Sequence, residues 1–163
     1  NNGEWQRQTR EVYDRGNGAA ILLFNREKRT VVLTRQFRLP VFVNGHDGLL
    51  IEVAAGLLEG AAPEQRIRDE AEEETGYRVH DVKKVFEAYM SPGSVTEKLH
   101  FFIAEYDAAS KVSDGGGLEE ETEELEVLEW QFAEALAAFQ RGEICDAKTI
   151  MLLQYAAMNN LFA

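Results

Sequence analysis

Three glutamates with helical spacing are the residues of this sequence best suited to chemistry. Glu70, Glu73 and Glu74 lie in the stretch PEQRIRDEAEEET, at positions i, i+3 and i+4. An α-helix carries such residues on one face, where like charges repel by roughly a few tenths of a kcal/mol per pair. A hard divalent cation removes that repulsion, and Mg²⁺ takes a few carboxylates while it keeps water and phosphate oxygens as ligands. The spacing indicates a Mg²⁺ site, although an acidic run taken alone is more often a solvated surface.

Local signals place these glutamates on a helix that follows a strand. Pro63 suits the first turn of a helix, and Gly76 suits a left-handed C-cap, so the sequence predicts a helix over Pro63–Thr75. Ala62, which precedes it, is a poor N-cap. Upstream, Ile51–Gly56 (IEVAAG) is typical of a strand that ends in small residues.

The rest of the chain predicts an α/β sandwich with a mixed sheet. Two further helices are expected, at Phe132–Arg141 and Lys148–Met158. Apolar and β-branched runs predict strands at Ala19–Phe24, Thr30–Leu33, Leu49–Val53, Val85–Tyr89 and Leu99–Tyr106. Nothing divides the chain, so residues 1–163 are expected to form one domain. Within it, residues 1–13 would supply an N-terminal strand or an arm, since Glu4–Tyr13 alternates only weakly.

Composition excludes several classes of protein. The 163 residues include 29 acidic and 17 basic ones, for a formal net charge of −12, which disfavours a nucleic-acid groove. No apolar run approaches the roughly 20 residues that span a bilayer, so no membrane association is expected. The first ten residues lack the apolar stretch of a signal peptide. A single cysteine, Cys145, favours a reducing cytoplasm, and we expect it to be a small buried residue.

A second acidic segment follows a glycine run. Gly115–Gly117 precedes a stretch from Glu119 to Glu126 that is acidic except for Thr122 and Leu125. Taken alone, such a segment is plain solvated surface in about half of all cases. The functional alternative is a mobile acidic loop that closes over a metal–phosphate complex.

The stretch from Gly56 to Tyr77, GLLEGAAPEQRIRDEAEEETGY, resembles the nudix box, a long and specific loop–helix–loop motif. The second half of the motif is matched by Glu70, Ala71, Glu73, Glu74, Gly76 and Tyr77. The match departs from the motif in three places. The segment between Gly56 and Glu70 is one residue short, and Ala61 and Ala62 stand where the spacer glutamate is expected. Asp69 stands where the motif has an arginine that steadies the glutamates. Arg66, one turn earlier on the same face, is a candidate substitute.

The resemblance covers nearly the whole chain and is closest to the nudix hydrolases of nucleoside diphosphate sugars, in particular the type that acts on GDP-mannose. It rests on Arg10–Asn25 (REVYDRGNGAAILLFN), Arg35–Arg38 (RQFR), Tyr89–Tyr106 (YMSPGSVTEKLHFFIAEY) and Gly142–Tyr155 (GEICDAKTIMLLQY). It implies a nudix-type α/β/α sandwich, a homodimer, and Mg²⁺-dependent hydrolysis of a nucleotide sugar, with Mn²⁺ as an alternative ion. GDP-mannose is the expected substrate and ADP-ribose the alternative. The rival is a catalytically weak nucleotide-sugar-binding module, suggested by Asp69.

The resemblance also implies roles for individual residues. The metal ligands would be the Ala55 carbonyl, Glu70, Glu74 and Glu123. The catalytic residues would be Glu73, Glu74, Glu121 and Glu123, and either Glu121 or Glu123 would be the base that takes a proton from water. Substrate would contact Arg10, Glu11, Arg38, Ala55, Gly56, Glu97 and Lys148. Among these, Arg38 would bind phosphate, which suits the fork of a guanidinium group.

Overall fold

The computed structural model describes residues 3–117 and 124–163. In chain order, the described residues form β1 (Gly18–Asn25), β2 (Thr30–Phe37), α1 (Leu39–Val43), β3 (Leu49–Glu52), β4 (Ala54–Leu57), α2 (Pro63–Thr75), β5 (Lys83–Tyr89), β6 (Lys98–Glu105), β7 (Glu126–Gln131), α3 (Phe132–Arg141) and α4 (Ala147–Met158).

The strands form one mixed sheet with β1 at its centre. The order β3-β2-β1-β6-β5 gives its main path, while β4 also pairs with β1 and β7 also pairs with β2. Strand β1 runs parallel to β6, whereas the other pairs are antiparallel. The first half of β1 pairs with β4 and its last three residues pair with β2. The predicted mixed sheet is confirmed.

Helices cover both faces of β1, so its side chains are buried on both sides. Alternate residues divide between two apolar clusters, as the period of two in a strand requires. Ala20, Leu22 and Phe24 pack with the cluster that contains residues of α3 and α4. Ala19, Ile21 and Leu23 pack with Ile67 and Ala71 of α2. The predicted α/β/α sandwich is therefore confirmed.

The predicted helices Pro63–Thr75 and Phe132–Arg141 have the predicted bounds. Each ends at a left-handed glycine, Gly76 with φ of 76° and Gly142 with φ of 81°. Ala62 makes no side-chain capping bond, in line with its poor propensity. The overlapping predicted strands Leu49–Val53 and Ile51–Gly56 are instead two successive strands, β3 and β4, because the chain passes from pairing with β2 to pairing with β1 at Val53. Helix α1 was not predicted, since five residues are too few for a helical period to show.

The structure bears on two expectations about the surface, and it contradicts the one about Cys145. Cys145 is exposed rather than buried, because its neighbour Ile144 is the residue of this turn that enters the core. Glu4–Tyr13 forms no strand within the described chain, where Tyr13 makes one isolated bridge to Val95 and the segment is exposed. Among the described residues, no helix has the length and apolar character needed to cross a bilayer.

Candidate active site

Helix α2 turns two glutamates toward β4 because its apolar stripe packs on β1. Ile67 and Ala71 are fully buried in the cluster beside β1. Glu70 and Glu74, three residues further along the helix in each case, face β4. The carboxylate of Glu74 accepts a hydrogen bond from the backbone N–H of Ala55 at 3.2 Å. The strand and the helix thus bring together three of the predicted metal ligands.

Gly56 makes room for the carboxylate of Glu70. A Cβ atom placed on Gly56 would lie 1.8 Å from Oε1 of Glu70, well inside van der Waals contact. The absence of a side chain at this position therefore lets the helix approach β4 closely enough to bury the glutamate. Glu70 is 6% exposed and Glu74 3%.

The donors brought together here fit a hard cation, because they are oxygen atoms and two of them belong to nearly buried carboxylates. In residues 3–117 and 124–163, no group of three or more His, Cys, Asp or Glu side chains is arranged to hold a metal ion. Within those residues, the predicted metal ligands are two carboxylate side chains, Glu70 and Glu74, and the backbone carbonyl of Ala55. The two remaining predicted glutamates, Glu121 and Glu123, lie outside the described residues.

Arg66 places a cation beside the glutamates, where the nudix box would place the arginine that Asp69 replaces. One guanidinium nitrogen lies 2.5 Å from Oε1 of Glu70 and the other lies 3.7 Å from Oε2 of Glu73. Its Nε donates to the carbonyl of Leu57 at 3.1 Å, which ties the side chain to β4. Asp69 accepts a hydrogen bond from Gln65 at 2.9 Å. The cation beside the glutamates is therefore present, one turn earlier on the helix.

The residues that flank the acidic segment are held at the C-terminal end of α2. Gly116 donates to the carbonyl of Glu74 at 2.9 Å, and Gly117 donates to that of Glu73 at 3.2 Å. On the far side, Leu125 donates to the carbonyl of Gly116 at 3.3 Å. The described residues that flank the segment containing Glu121 and Glu123 are thus bonded, directly or through Gly116, to the helix that carries Glu70, Glu73 and Glu74.

A cleft of about 530 Å³ opens over β4 and holds most of the predicted substrate residues. The predicted residues that line it are Arg38, Ala55, Gly56, Glu70, Glu97 and Lys148. Arg10 and Glu11 do not line it in this single chain. Instead, Arg10 bonds to Gln8 and to the carbonyl of Thr9. Glu73 and Glu74 also lie outside its lining, although both reach residues that belong to it.

Four charged residues of the cleft were missed by the sequence analysis, namely Arg15, Glu52, Glu59 and Asp146. Arg15 lies 3.5 Å from Glu97, while Glu52 and Asp146 both contact Lys148. Only Glu52 left a usable signal, because it is the one charged residue in the apolar strand LLIEV. A lone charged residue in a strand whose other residues are apolar is expected to be buried, and a buried charge requires a partner of opposite charge.

The cleft therefore combines two kinds of charged group. The carboxylate of Glu70 lines it from α2, and the cations Arg38 and Lys148 line it from the end of β2 and the first turn of α4. A phosphorylated ligand held by these cations would place its phosphate oxygens in the same cleft as a carboxylate suited to a metal ion. An arrangement of this kind suits metal-assisted attack on phosphorus.

Comparison with known proteins identifies the class. The NUDIX domain model matches residues 14–153, so the chain belongs to the nudix family. Members of this family generally use divalent metal ions.

Individual relatives are similar over almost the full chain. A GDP-mannose pyrophosphatase of Pectobacterium atrosepticum is 59% identical over 163 residues, which cover 99% of this chain and 83% of that protein. The GDP-mannose pyrophosphatase of Cronobacter sakazakii is 59% identical over 98% of this chain and 83% of its own length. That of Salmonella typhimurium is 58% identical, with the same two coverages.

Proposed function

We propose that this protein hydrolyses the pyrophosphate bond of GDP-mannose and releases GMP and mannose 1-phosphate. The observation that carries the proposal is that one cleft is lined both by Glu70, beside Ala55 and Gly56, and by the cations Arg38 and Lys148. The similarity to GDP-mannose pyrophosphatases at 58–59% identity supports the choice of substrate.

The proposed metal is Mg²⁺, with Mn²⁺ as an alternative. Its ligands would be the carbonyl of Ala55 and the carboxylates of Glu70, Glu74 and Glu123. When bound, the metal would neutralise phosphate oxygens and lower the pKa of a water molecule. The placement of Glu70 and Glu74 beside β4 supports this assignment, because it brings carboxylate oxygens next to the backbone of Ala55 and Gly56, and hard cations take oxygen ligands.

The side chains of the cleft bind and orient the substrate. Arg38 and Lys148, which line the same cleft as Glu70, neutralise phosphate oxygens, and Arg38 is suited to a bidentate contact. Glu97, held beside Arg15, lines the same cleft and is available to hydroxyl groups of the sugar. Glu73, steadied by Arg66, lies next to the metal ligands as a further ligand or as an acceptor for bound water.

The chemical step transfers one proton and breaks one bond. A water oxygen attacks one phosphorus of the P–O–P bridge, the bond from that phosphorus to the bridging oxygen breaks, and a glutamate accepts the proton of the water. We assign the proton to Glu123 or Glu121. Both lie outside the described residues. The bonds of Gly116 and Gly117 to the end of α2 support this choice, since they fix the start of that segment beside Glu74.

We further propose that the protein acts as a homodimer in the cytoplasm, with the N-terminal arm of one protomer on the other. The arm carries fully exposed Trp5, and Val12 and Tyr13 are 65% and 67% exposed. An extended segment with exposed apolar side chains is stabilised by pairing with another surface. Arg10 and Glu11, which do not line the cleft of their own chain, would then serve the partner's site.

A hydrolysis screen with Mg²⁺ tests the proposed function. The panel contains GDP-mannose, ADP-ribose, other nucleotide sugars and dinucleotides, and products are separated by chromatography. We expect GMP and mannose 1-phosphate, with kcat/KM highest for GDP-mannose. A higher kcat/KM for ADP-ribose would identify ADP-ribose, and not GDP-mannose, as the preferred substrate. Thermal stabilisation by GDP-mannose without turnover would instead identify a binding module.

A further inference from the structure

We infer that Glu52 is a positioning residue that fixes Arg38 and Lys148 as the phosphate-binding pair of the cleft. The inference rests on the proposed function and adds to it a residue that contacts no substrate in that mechanism. Glu52 is the last residue of β3, and its side chain is 3% exposed. Its Oε2 accepts from Nε of Arg38 at 2.8 Å, and its Oε1 accepts from Nζ of Lys148.

Glu52 joins two cations that the chain supplies from distant elements. Arg38 follows β2 and caps the short helix α1, whereas Lys148 lies in the first turn of α4. Arg38 and Lys148 are far apart in the sequence. Even so, they donate to different oxygens of the same carboxylate, that of Glu52. Because the carboxylate lies between them, two like charges can face one cleft at a fixed spacing.

The backbone next to Glu52 is fixed to α4 by a second set of bonds. The N–H of Val53 donates to Oγ1 of Thr149 at 2.9 Å, and that hydroxyl donates to Asp146 at 2.6 Å. Asp146 also caps α4 and accepts from Lys148 at 3.0 Å. Lys148 is therefore held from two sides, and the backbone next to Glu52 is bonded to the same helix.

The contact leaves the phosphate-binding part of Arg38 available. In the portion of the chain that the structure describes, the one hydrogen bond from the Arg38 side chain uses Nε. The bond at Nε fixes the orientation of the guanidinium group. Its two Nη groups, which can bind a phosphate in a bidentate manner, stay available, since 39% of the side chain is exposed.

Charge and geometry make opposite predictions for the loss of Glu52. Glu52 and Asp146 together balance Arg38 and Lys148, so Glu52→Gln gives the cleft one more net positive charge. If charge alone governed binding, this variant would bind a diphosphate more tightly. If Glu52 positions the cations, the variant binds more weakly, because an amide cannot accept charge-assisted bonds from both.

The test is steady-state hydrolysis of GDP-mannose by wild type, Glu52→Gln and Glu129→Gln at saturating Mg²⁺. Glu129 is the matched control: a partly buried strand glutamate that bonds Lys28 and Tyr106 and does not line the cleft. For Glu52→Gln we expect KM to rise about tenfold, kcat to change less than about threefold, and half-saturation by Mg²⁺ to stay unchanged. For Glu129→Gln we expect an unchanged KM, whatever its Tm.

A double-mutant cycle with Arg38→Gln separates positioning from general loss of structure. If Glu52 acts through Arg38, adding Glu52→Gln to Arg38→Gln raises KM by much less than it does in wild type. Should Glu52→Gln fail to fold, Glu52→Asp keeps the charge but is too short to reach both cations, and its KM should rise as well.

The outcomes separate this inference from the proposed function. An active wild type with an unchanged or lower KM in the folded Glu52 variant overturns the role of Glu52 alone. Full additivity in the cycle does the same. A wild type that hydrolyses no nucleotide sugar overturns the proposed function, and the role of Glu52 with it.

Discussion

The guanidinium group of Arg66 lies 2.5 Å from the carboxylate of Glu70, one turn away on the same helix. It also lies within 3.7 Å of Glu73 and donates to the carbonyl of Leu57, so it connects α2 to β4 beside the proposed metal ligands. The side chain is 20% exposed, and that of Glu70 is 8% exposed. An ion pair so well shielded orients its members far better than a surface pair does.

Replacing Arg66 should therefore impair catalysis. We expect Arg66→Ala to lower kcat/KM at saturating Mg²⁺ about tenfold, which corresponds to roughly 1.4 kcal/mol of transition-state stabilisation. Arg66→Lys should be intermediate, since it keeps the charge but loses the fork. Arg68→Ala is the control, because Arg68 lies on the same helix and, within residues 3–117 and 124–163, its side chain donates to backbone carbonyls alone. Equal kcat/KM for the two alanine variants would show that Arg66 does not steady the glutamates.

A second variant tests whether Asp69 is a defect. The departure from the nudix box suggests that Asp69→Arg raises kcat/KM a few-fold, by supplying a cation for Glu70 and Glu73. Since Arg66 already contacts both, we now expect a change of less than about twofold, within the range of an exposed ion pair. Magnesium titrations of kcat/KM for the two proteins make the comparison. A larger gain would mean that the contact of Arg66 is insufficient.

Gly56 offers a steric test of the same site. In Gly56→Ala the new Cβ would meet the end of the Glu70 side chain, which can move, so the fold should survive while the carboxylate is displaced. We expect half-saturation by Mg²⁺ to rise at least about tenfold, with cooperative thermal unfolding retained. Gly93→Ala is the control, since its Cβ would meet nothing within 4 Å. If both variants keep the metal dependence of wild type, Glu70 is not a ligand.

The local parts of this site were predictable from the sequence, whereas the long-range parts were not. Pro63 and Gly76 set the ends of α2, and both signals lie within the helix or next to it. The break between β3 and β4 depends on which partner strand each one meets, so it left no mark in LLIEVAAG. The contact of Glu52 with Arg38 and Lys148 likewise depends on the sheet and on α4. Spacing along the chain could not predict it.

The proposed arm makes a prediction about assembly. We expect a dimer by sedimentation velocity at about 1 µM, because exposed apolar residues such as Trp5 need a partner surface. If Arg10 serves the partner's cleft, then mixing Arg10→Ala with Glu74→Gln should restore activity, since each mixed dimer has one intact cleft and one intact arm. Arg7→Ala is the control and should behave as wild type. A fully active monomer would contradict both proposals.

The most direct test of the whole account compares wild type with Glu74→Gln on GDP-mannose. Glu74 is 3% exposed and accepts a bond from the N–H of Ala55, and a glutamine keeps that shape but lacks the charge that would hold Mg²⁺. We predict Mg²⁺-dependent release of GMP and mannose 1-phosphate by wild type. For the variant we predict kcat at least about 100-fold lower, because a lost metal contribution raises the barrier by several kcal/mol. Its Tm should stay close to that of wild type. A folded Glu74→Gln protein with near-normal kcat and the same Mg²⁺ dependence would contradict the account.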